Sequence, residues 1–329
     1  MQIEKSISVF LNYCRSKQLR PKTIRSYEQA LLLFARWMRN SEGVGMVEQV
    51  CEMTVRDYIL YLQERGKYTD RVDDRSEKIN RPTNRRDYRD QISNTTINNY
   101  LRAIRAWCNW LVDQEVLDKS PMKRIKLLKQ QRTPKEFLTD AEVKELMNAF
   151  DKARYAEYRD MMIAMVMLET GTRLGETLSI TVDRVDLFEQ TILLPGDKTK
   201  SRKDRTVFFS QKLAKELRRW LRYKECECDT DYLFPVRETG YMLQVGNYER
   251  NFRNYMGRTR IRKHISPHTL RNNFAKRCLM SGMDIYTLSR ILGHSSVKIT
   301  EHAYLDVTDE DLKKRYMRHS PLDGIYFGE

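Results

Sequence analysis

Apolar residues recur at three- and four-residue intervals through most of the chain, and those intervals predict helices. Ile3, Ile7, Phe10, Leu11 and Cys14 make one stripe. Ile24, Tyr27, Leu31, Phe34 and Met38 make a second, entered through Pro21, whose fixed φ suits a first helical turn. A third helix is expected from an N-cap at Thr54 through Val55, Tyr58, Ile59 and Leu62. A fourth is expected from about Asn94 through Ile97, Tyr100, Leu101, Ile104 and Trp107 to Leu111. Between the third and fourth, Gly66 to Asp90 carries eight Lys/Arg and six Asp/Glu and few large apolar side chains. Such a stretch can bury little surface, so residues 66–93 read as a long charged insertion in a helical domain spanning 1–118.

Lys119 to Lys135 has seven Lys/Arg, two prolines and no acid, which reads as a basic linker over 119–136. A second domain, 137–329, opens with Thr139 ahead of Asp140-Ala141-Glu142, a helix-start signature. Helices are expected at 139–150 and 158–170. The run from Met161 to Leu168 is apolar on every side, so the second of these should be buried. Thr191–Leu194 and Thr206–Phe209 flank a polar turn, as the strands of a β-hairpin do, and a short strand near Ile180–Val182 is expected to join them. Helices resume at Gln211, the last from Asp309 to Met317. The expected fold class is therefore mainly α with a small antiparallel β-sheet.

Charge narrows the partner. Sixty Lys/Arg against 45 Asp/Glu leave a net +15, for which a polyanionic partner, nucleic acid being the commonest, is the simplest reason; by charge alone a merely soluble basic protein fits equally. No apolar run is long enough to span a bilayer, and the first residues lack the pattern of a secretory signal. Six cysteines at 14, 51, 108, 226, 228 and 278 form no CxxC pair, as expected for reduced thiols in the cytoplasm. The five histidines, at 264, 268, 294, 302 and 319, make no zinc-ligand spacing, and no metal is expected.

Four islands carry candidate chemistry. In Thr170-Gly171-Thr172-Arg173-Leu174-Gly175-Glu176, Gly171 stops an apolar helix and Arg173 follows at the junction. The hairpin turn, Asp197 to Arg205, offers lysines as point charges at 198 and 200. In Ser266-Pro267-His268-Thr269-Leu270-Arg271, the cap and proline start a helix that puts His268 and Arg271 on one face, an arginine for bidentate phosphate binding beside a group that can move a proton. Leu292-Gly293-His294-Ser295 comes last, with Tyr304 ten residues beyond His294.

Taken together, in this order and spacing, the islands resemble the tyrosine recombinase, or phage integrase, family. The likeness covers roughly the last 190 residues, and the N-terminal helices are similar to the family's core-binding domain. The resemblance implies a C-shaped clamp on DNA made by a core-binding and a catalytic domain. Strands would be cut and rejoined through a 3′-phosphotyrosine and a Holliday junction, without metal or nucleotide cofactor. Tyr304 would be the nucleophile. Arg173 and Arg271 would clamp the scissile phosphate, His268 would move the tyrosine proton, His294 would bond a nonbridging oxygen, and a hairpin lysine would protonate the 5′-oxygen. Both Lys198 and Lys200 fit that last role, with Lys198 preferred. Glu176 would brace the Arg173 region. The implied partner is double-stranded DNA with paired sites, bound by a homotetramer joined through the C-terminal tail helix. Asn272 stands where the family often has His, at a position outside the catalytic set. Integration or excision of a mobile element and resolution of chromosome dimers fit equally. Two alternatives stay open: a sequence-specific DNA-binding protein without catalysis, and a type IB topoisomerase-like enzyme.

Overall fold

A computed structural model describes residues 1–43, 45–70, 82–130, 136–196, 204–294 and 296–304, and residues 313, 316 and 317; the side chains of 82 and 302–304 fall outside it. The chain divides into two compact units, Met1–Arg132 and Thr133–Glu329.

The first unit packs α1 (Ile3–Ser16), α2 (Pro21–Glu42), α3 (Glu52–Glu64) and α4 (Asn94–Asp113). The predicted stripes are the buried ones. Ile3, Ile7, Phe10, Leu11 and Cys14 of α1 meet Leu31, Phe34 and Met38 of α2, and Trp107 of α4 is wholly enclosed. Phe34, Trp37 and Tyr58 form the aromatic centre, with Phe34 and Tyr58 ring centroids 4.8 Å apart. Each such side chain contributes about 1.5–3 kcal/mol by leaving water. The third helix begins three residues earlier than expected. Cys51 is its N-cap, and Thr54 acts from inside the first turn, its hydroxyl accepting from the Cys51 amide at 3.4 Å.

Two features frame the charged segments of this unit. The ends of the insertion meet: Lys67 N donates to Asp90 O at 2.7 Å and Arg89 N to Lys67 O at 3.1 Å. A Cβ on Gly66 would stand 2.6 Å from the Arg89 backbone, so only glycine permits that closure. The basic stretch after α4 lies along that helix, with Met122 and Ile125 buried in the core. Asn98 holds Leu128 through both amide atoms, at 2.9 Å each, and Arg105 donates to Ile125 O at 2.6 Å.

The second unit is built on α6 (Tyr155–Thr170), preceded by α5 (Asp140–Asn148) with its Thr139–Glu142 capping box. Met161, Met162, Ile163, Ala164, Val166 and Met167 are all buried, as an all-round apolar helix requires. On it pack α8 (Gln211–Glu227) and α10 (Pro267–Met280). The short α7 (Leu174–Leu178) follows α6 directly. The sheet is β1 (Val185–Asp186), β2 (Thr191–Leu194) and β3 (Arg205–Phe208), antiparallel in that order, with Ile192 paired to Val207 and Leu194 to Arg205. The edge strand lies later than the expected 180–182. Val182–Arg184 makes a 3₁₀ turn, so the chain extends only beyond it, and Thr181 pairs instead with Tyr232 in a lone bridge. The remaining helices are α9 (Val245–Met256), α11 (Ile285–Leu292) and α12 (Val297–Tyr304). The expected helix at 309–317 lies almost wholly outside the described residues.

Candidate active site

The site is assembled where three helix ends converge. Gly171 caps α6 in the left-handed region, φ +65°, and its amide donates to Met167 O at 3.0 Å. A Cβ there would lie 2.3 Å from the Phe274 ring, so α10 packs directly on this stop. Thr170, Thr172 and Thr177 then chain their hydroxyls at 3.1 and 2.7 Å, and Thr177 donates to Arg173 O at 3.1 Å. These bonds turn the backbone sharply and fix Arg173 as the N-cap of α7.

Arg173 keeps 28% of its side chain exposed, while Glu176 keeps 3%. The Glu176 carboxylate accepts from Arg173 N at 3.0 Å and from Arg173 Nη1 at 2.8 Å. It also accepts from Arg205 Nη1 at 3.3 Å and Nη2 at 2.5 Å. Burial opposes its charge, but hydrogen bonds and charge from Arg205, then Arg173, outweigh burial and hold the carboxyl below its ordinary value.

Arg271 is 2% exposed. Its Nη1 donates to Gly171 O at 2.7 Å and its Nη2 to Leu292 O at 2.8 Å, so one guanidinium ties the end of α6 to the end of α11. The same Nη2 lies 2.9 Å from His294 Nε2. A guanidinium can only donate, so Nε2 accepts here, and Nδ1 carries the ring proton toward Thr300 Oγ1 at 2.8 Å. Ser266 and Pro267 start α10 as expected, and His268 stands exposed in its first turn, three residues before Arg271.

Arg173, Arg271 and His294 are thus drawn to one corner, and His268 shares the helix of Arg271. Residue 304 is the last of α12, the helix that carries Thr300, and its side chain lies outside the described part. Lys198 and Lys200 also lie outside the described residues, in 197–203. The base of that loop is closed, since Gly196 N donates to Asp204 Oδ1 at 2.6 Å and Leu194 pairs with Arg205. Sequence reasoning missed Arg205 and Thr300. Arg205 was legible only as one of several basic residues in a hairpin turn, and nothing in its spacing points to Glu176. Among the described residues, no three His, Cys, Asp or Glu group as metal ligands would.

These islands and this fold define a class. A sequence model of the phage integrase family matches residues 136–311, more than half of the chain, and the protein belongs to that family. It is 25% identical to the tyrosine recombinase XerC of Bacillus subtilis strain 168 over 326 residues, 97% of each chain. It is 26% identical to XerC of Listeria welshimeri over 322 residues, 95% of this chain and 96% of that one. Its fold is similar to that of the Tn1549 transposon integrase in complex with transposon right end DNA, with a TM-score of 0.73, 17% identity and 97% and 99% of the two chains covered. It is also similar to that of a lambda integrase dimer bound to a core site, with a TM-score of 0.67 and 11% identity.

Proposed function

We propose that this protein is a site-specific DNA recombinase, and that the corner built by Arg173, Arg271 and His294 holds the scissile phosphate. The carrying observation is the fixed guanidinium of Arg271, anchored by two backbone carbonyls and touching His294. Fixed donors aimed at one position stabilise charge that develops on a phosphorane without reorganising first. Arg173, braced by Glu176 and partly exposed, is the second clamp. Two guanidinium groups do here what metal ions do in other phosphoryl transfers.

In the reaction, the Tyr304 hydroxyl oxygen attacks phosphorus and the bond from phosphorus to the 5′-oxygen breaks. His268 takes the phenol proton, and Lys198, or Lys200 in its place, gives a proton to the departing 5′-oxygen. His294 bonds a nonbridging oxygen. The product is a 3′-phosphotyrosine and a free 5′-hydroxyl, and ligation to a partner strand is the same step reversed. One phosphodiester-level bond replaces another, so no nucleotide is consumed. Exchange of two strand pairs passes through a Holliday junction on paired sites held by four copies of the chain, joined through the C-terminal tail. The two units, 1–118 as core-binding domain and 137–329 as catalytic domain, grip double-stranded DNA in the cytoplasm, and the basic stretch over 119–136 follows the phosphates.

The test uses duplexes that the protein itself selects from a random-sequence pool, resynthesised with a nick at successive positions so that a cleaved end is lost. The wild-type chain is expected to become covalently attached to DNA, and Tyr304→Phe to bind equally but form no adduct. An adduct from Tyr304→Phe would overturn the assignment. Bound wild-type protein that never forms an adduct would leave a DNA-binding role without catalysis.

A further inference from the structure

Arg205 has no role in the chemistry set out above, yet each of its guanidinium nitrogens is bound within the site. It opens β3, its side chain is 9% exposed, and all three of its guanidinium nitrogens are spent on groups inside the fold. Its Nη1 and Nη2 both reach Glu176, at 3.3 and 2.5 Å, while Nε donates to Ile291 O at 3.2 Å. It also lies against Gly293. A Cβ on that glycine, which is left-handed at φ +63°, would stand 3.0 Å from Arg205 Cδ, Nε and Nη1. His294 is the next residue, and its amide is held by Ser289 O at 3.1 Å. One side chain therefore touches the carboxylate that braces Arg173 and the backbone that delivers His294. Its own backbone pairs with Leu194 at the base of loop 197–203.

Resting on the active-site reading above, we infer that Arg205 is a positioning residue for cleavage, which sets the Arg173–Glu176 pair, the His294 turn and the base of the lysine-bearing hairpin in one register. It touches none of the reacting atoms and acts through Glu176 and through the Ile291–Gly293 backbone. Two of its three donors meet an ionised acceptor, and such charge-assisted bonds hold geometry better than neutral ones. Reaction rate is steep in position, and a displacement of about 1 Å costs on the order of a hundredfold. An arginine is specified because a lysine has no fork with which to reach the carboxylate and the Ile291 carbonyl together.

The experiment measures adduct formation in a single turnover on the selected nicked duplex, beside the dissociation constant for the same duplex and the melting temperature. Arg205→Ala is expected to slow adduct formation about a hundredfold with the dissociation constant within about threefold of wild type. Arg205→Lys is expected to fall between the two, at wild-type melting temperature. In a double-mutant cycle with Glu176→Ala, the double variant is expected to be little slower than either single one, since both remove the same brace. Multiplying losses in the cycle, binding that weakens as far as the rate does, or Arg205→Lys at the wild-type rate would each overturn the inference. Should Arg205→Ala fail to fold, the lysine variant alone decides between these outcomes. A wild-type chain that binds but forms no adduct would bring down the active-site reading and this inference with it. A wild-type chain that forms it, beside an equally fast Arg205→Ala, would bring down the inference alone.

Discussion

Asp160 and Glu176 are both buried carboxylates beside arginines, yet they are wired for different ends. Asp160 is fully enclosed. It accepts from Arg159 Nε and Nη2 at 2.9 and 2.8 Å, from Asn251 Nδ2 at 2.9 Å and from Tyr255 Oη at 3.0 Å. Arg159 is 5% exposed and spends its remaining nitrogen on Pro235 O at 3.1 Å. Of the partners of Asp160, Arg159 and Tyr255 are buried and Asn251 is partly so. Glu176 is nearly as buried, but one of its two arginines, Arg173, keeps more than a quarter of its side chain in solvent. The first arrangement is a joint between α6 and α9. The second is a support whose far side is open to solvent. Burial of charge alone does not identify a site, because a satisfied buried ion pair is equally a structural device; the direction left open does.

Removing the exposed arginine should separate the two most sharply. Arg173→Ala is expected to slow adduct formation on nicked duplex DNA about a thousandfold, the loss typical of a fixed donor to a developing oxyanion. Its melting temperature should stay near wild type, since Glu176 keeps Arg205. Equal losses in DNA affinity and in cleavage would make Arg173 a phosphate anchor only.

Asp160→Ala should do the reverse. It strands the Arg159 guanidinium in the core, a loss of about 3–5 kcal/mol for a broken buried pair. Denaturant unfolding should register the loss, while the cleavage rate per folded molecule stays at the wild-type value. A variant as stable as wild type would show that Asn251 and Tyr255 carry the joint without it.

The sequence made one side of this comparison legible and hid the other. The helices of both units, the hairpin strands and the Thr139 cap could be read because each depends on periodicity or on residues within one turn. The Arg173 junction was legible for the same reason, since Gly171, Arg173 and Glu176 are local. Asp160 was invisible. It adjoins Arg159 in sequence, and neighbours on a helix do not normally face each other, while Asn251 and Tyr255 lie about ninety residues away. Arg205 to Glu176 and Arg271 to Leu292 are likewise decided by tertiary packing that no local pattern encodes. The edge strand falls at Val185–Asp186 rather than 180–182 because Val182 enters a 3₁₀ turn and Thr181 pairs with Tyr232 instead.

Acid should act on the two carboxylates in opposite directions, with a smaller effect than either truncation. Glu176 titrates below its unfolded value, so the stability it contributes is complete above that value and is lost as pH falls through the lower folded pKa. Burial lifts Asp160 above its unfolded value despite Arg159 and its hydrogen bonds, so its charge is a cost at neutral pH that eases as the pH drops. Melting temperature followed from about pH 7 to pH 3 should therefore fall less steeply in Glu176→Gln than in wild type, and more steeply in Asp160→Asn. Parallel curves for all three proteins would show that neither group carries the linkage.

The smallest effect should come from the hydroxyl behind His294. In the free protein His294 Nε2 accepts from Arg271, which leaves Nδ1 to donate to Thr300 Oγ1. To donate to a phosphate oxygen, Nε2 must gain a proton. A threonine hydroxyl can both accept and donate, so it can support the imidazolium, or turn and donate to Nδ1 in the other neutral tautomer. Thr300 is completely buried, one turn before residue 304 on α12, so the same hydroxyl links the imidazole to the helix that ends at residue 304. Thr300→Val keeps the shape and removes the partner. Adduct formation should slow by about tenfold, the scale of one neutral hydrogen bond, with DNA affinity unchanged. Thr300→Ser, which restores a hydroxyl at the cost of one methyl, should recover most of that rate. If Thr300→Ser were as slow as Thr300→Val, packing at this point of α12, rather than the proton on His294, would be what the threonine supplies.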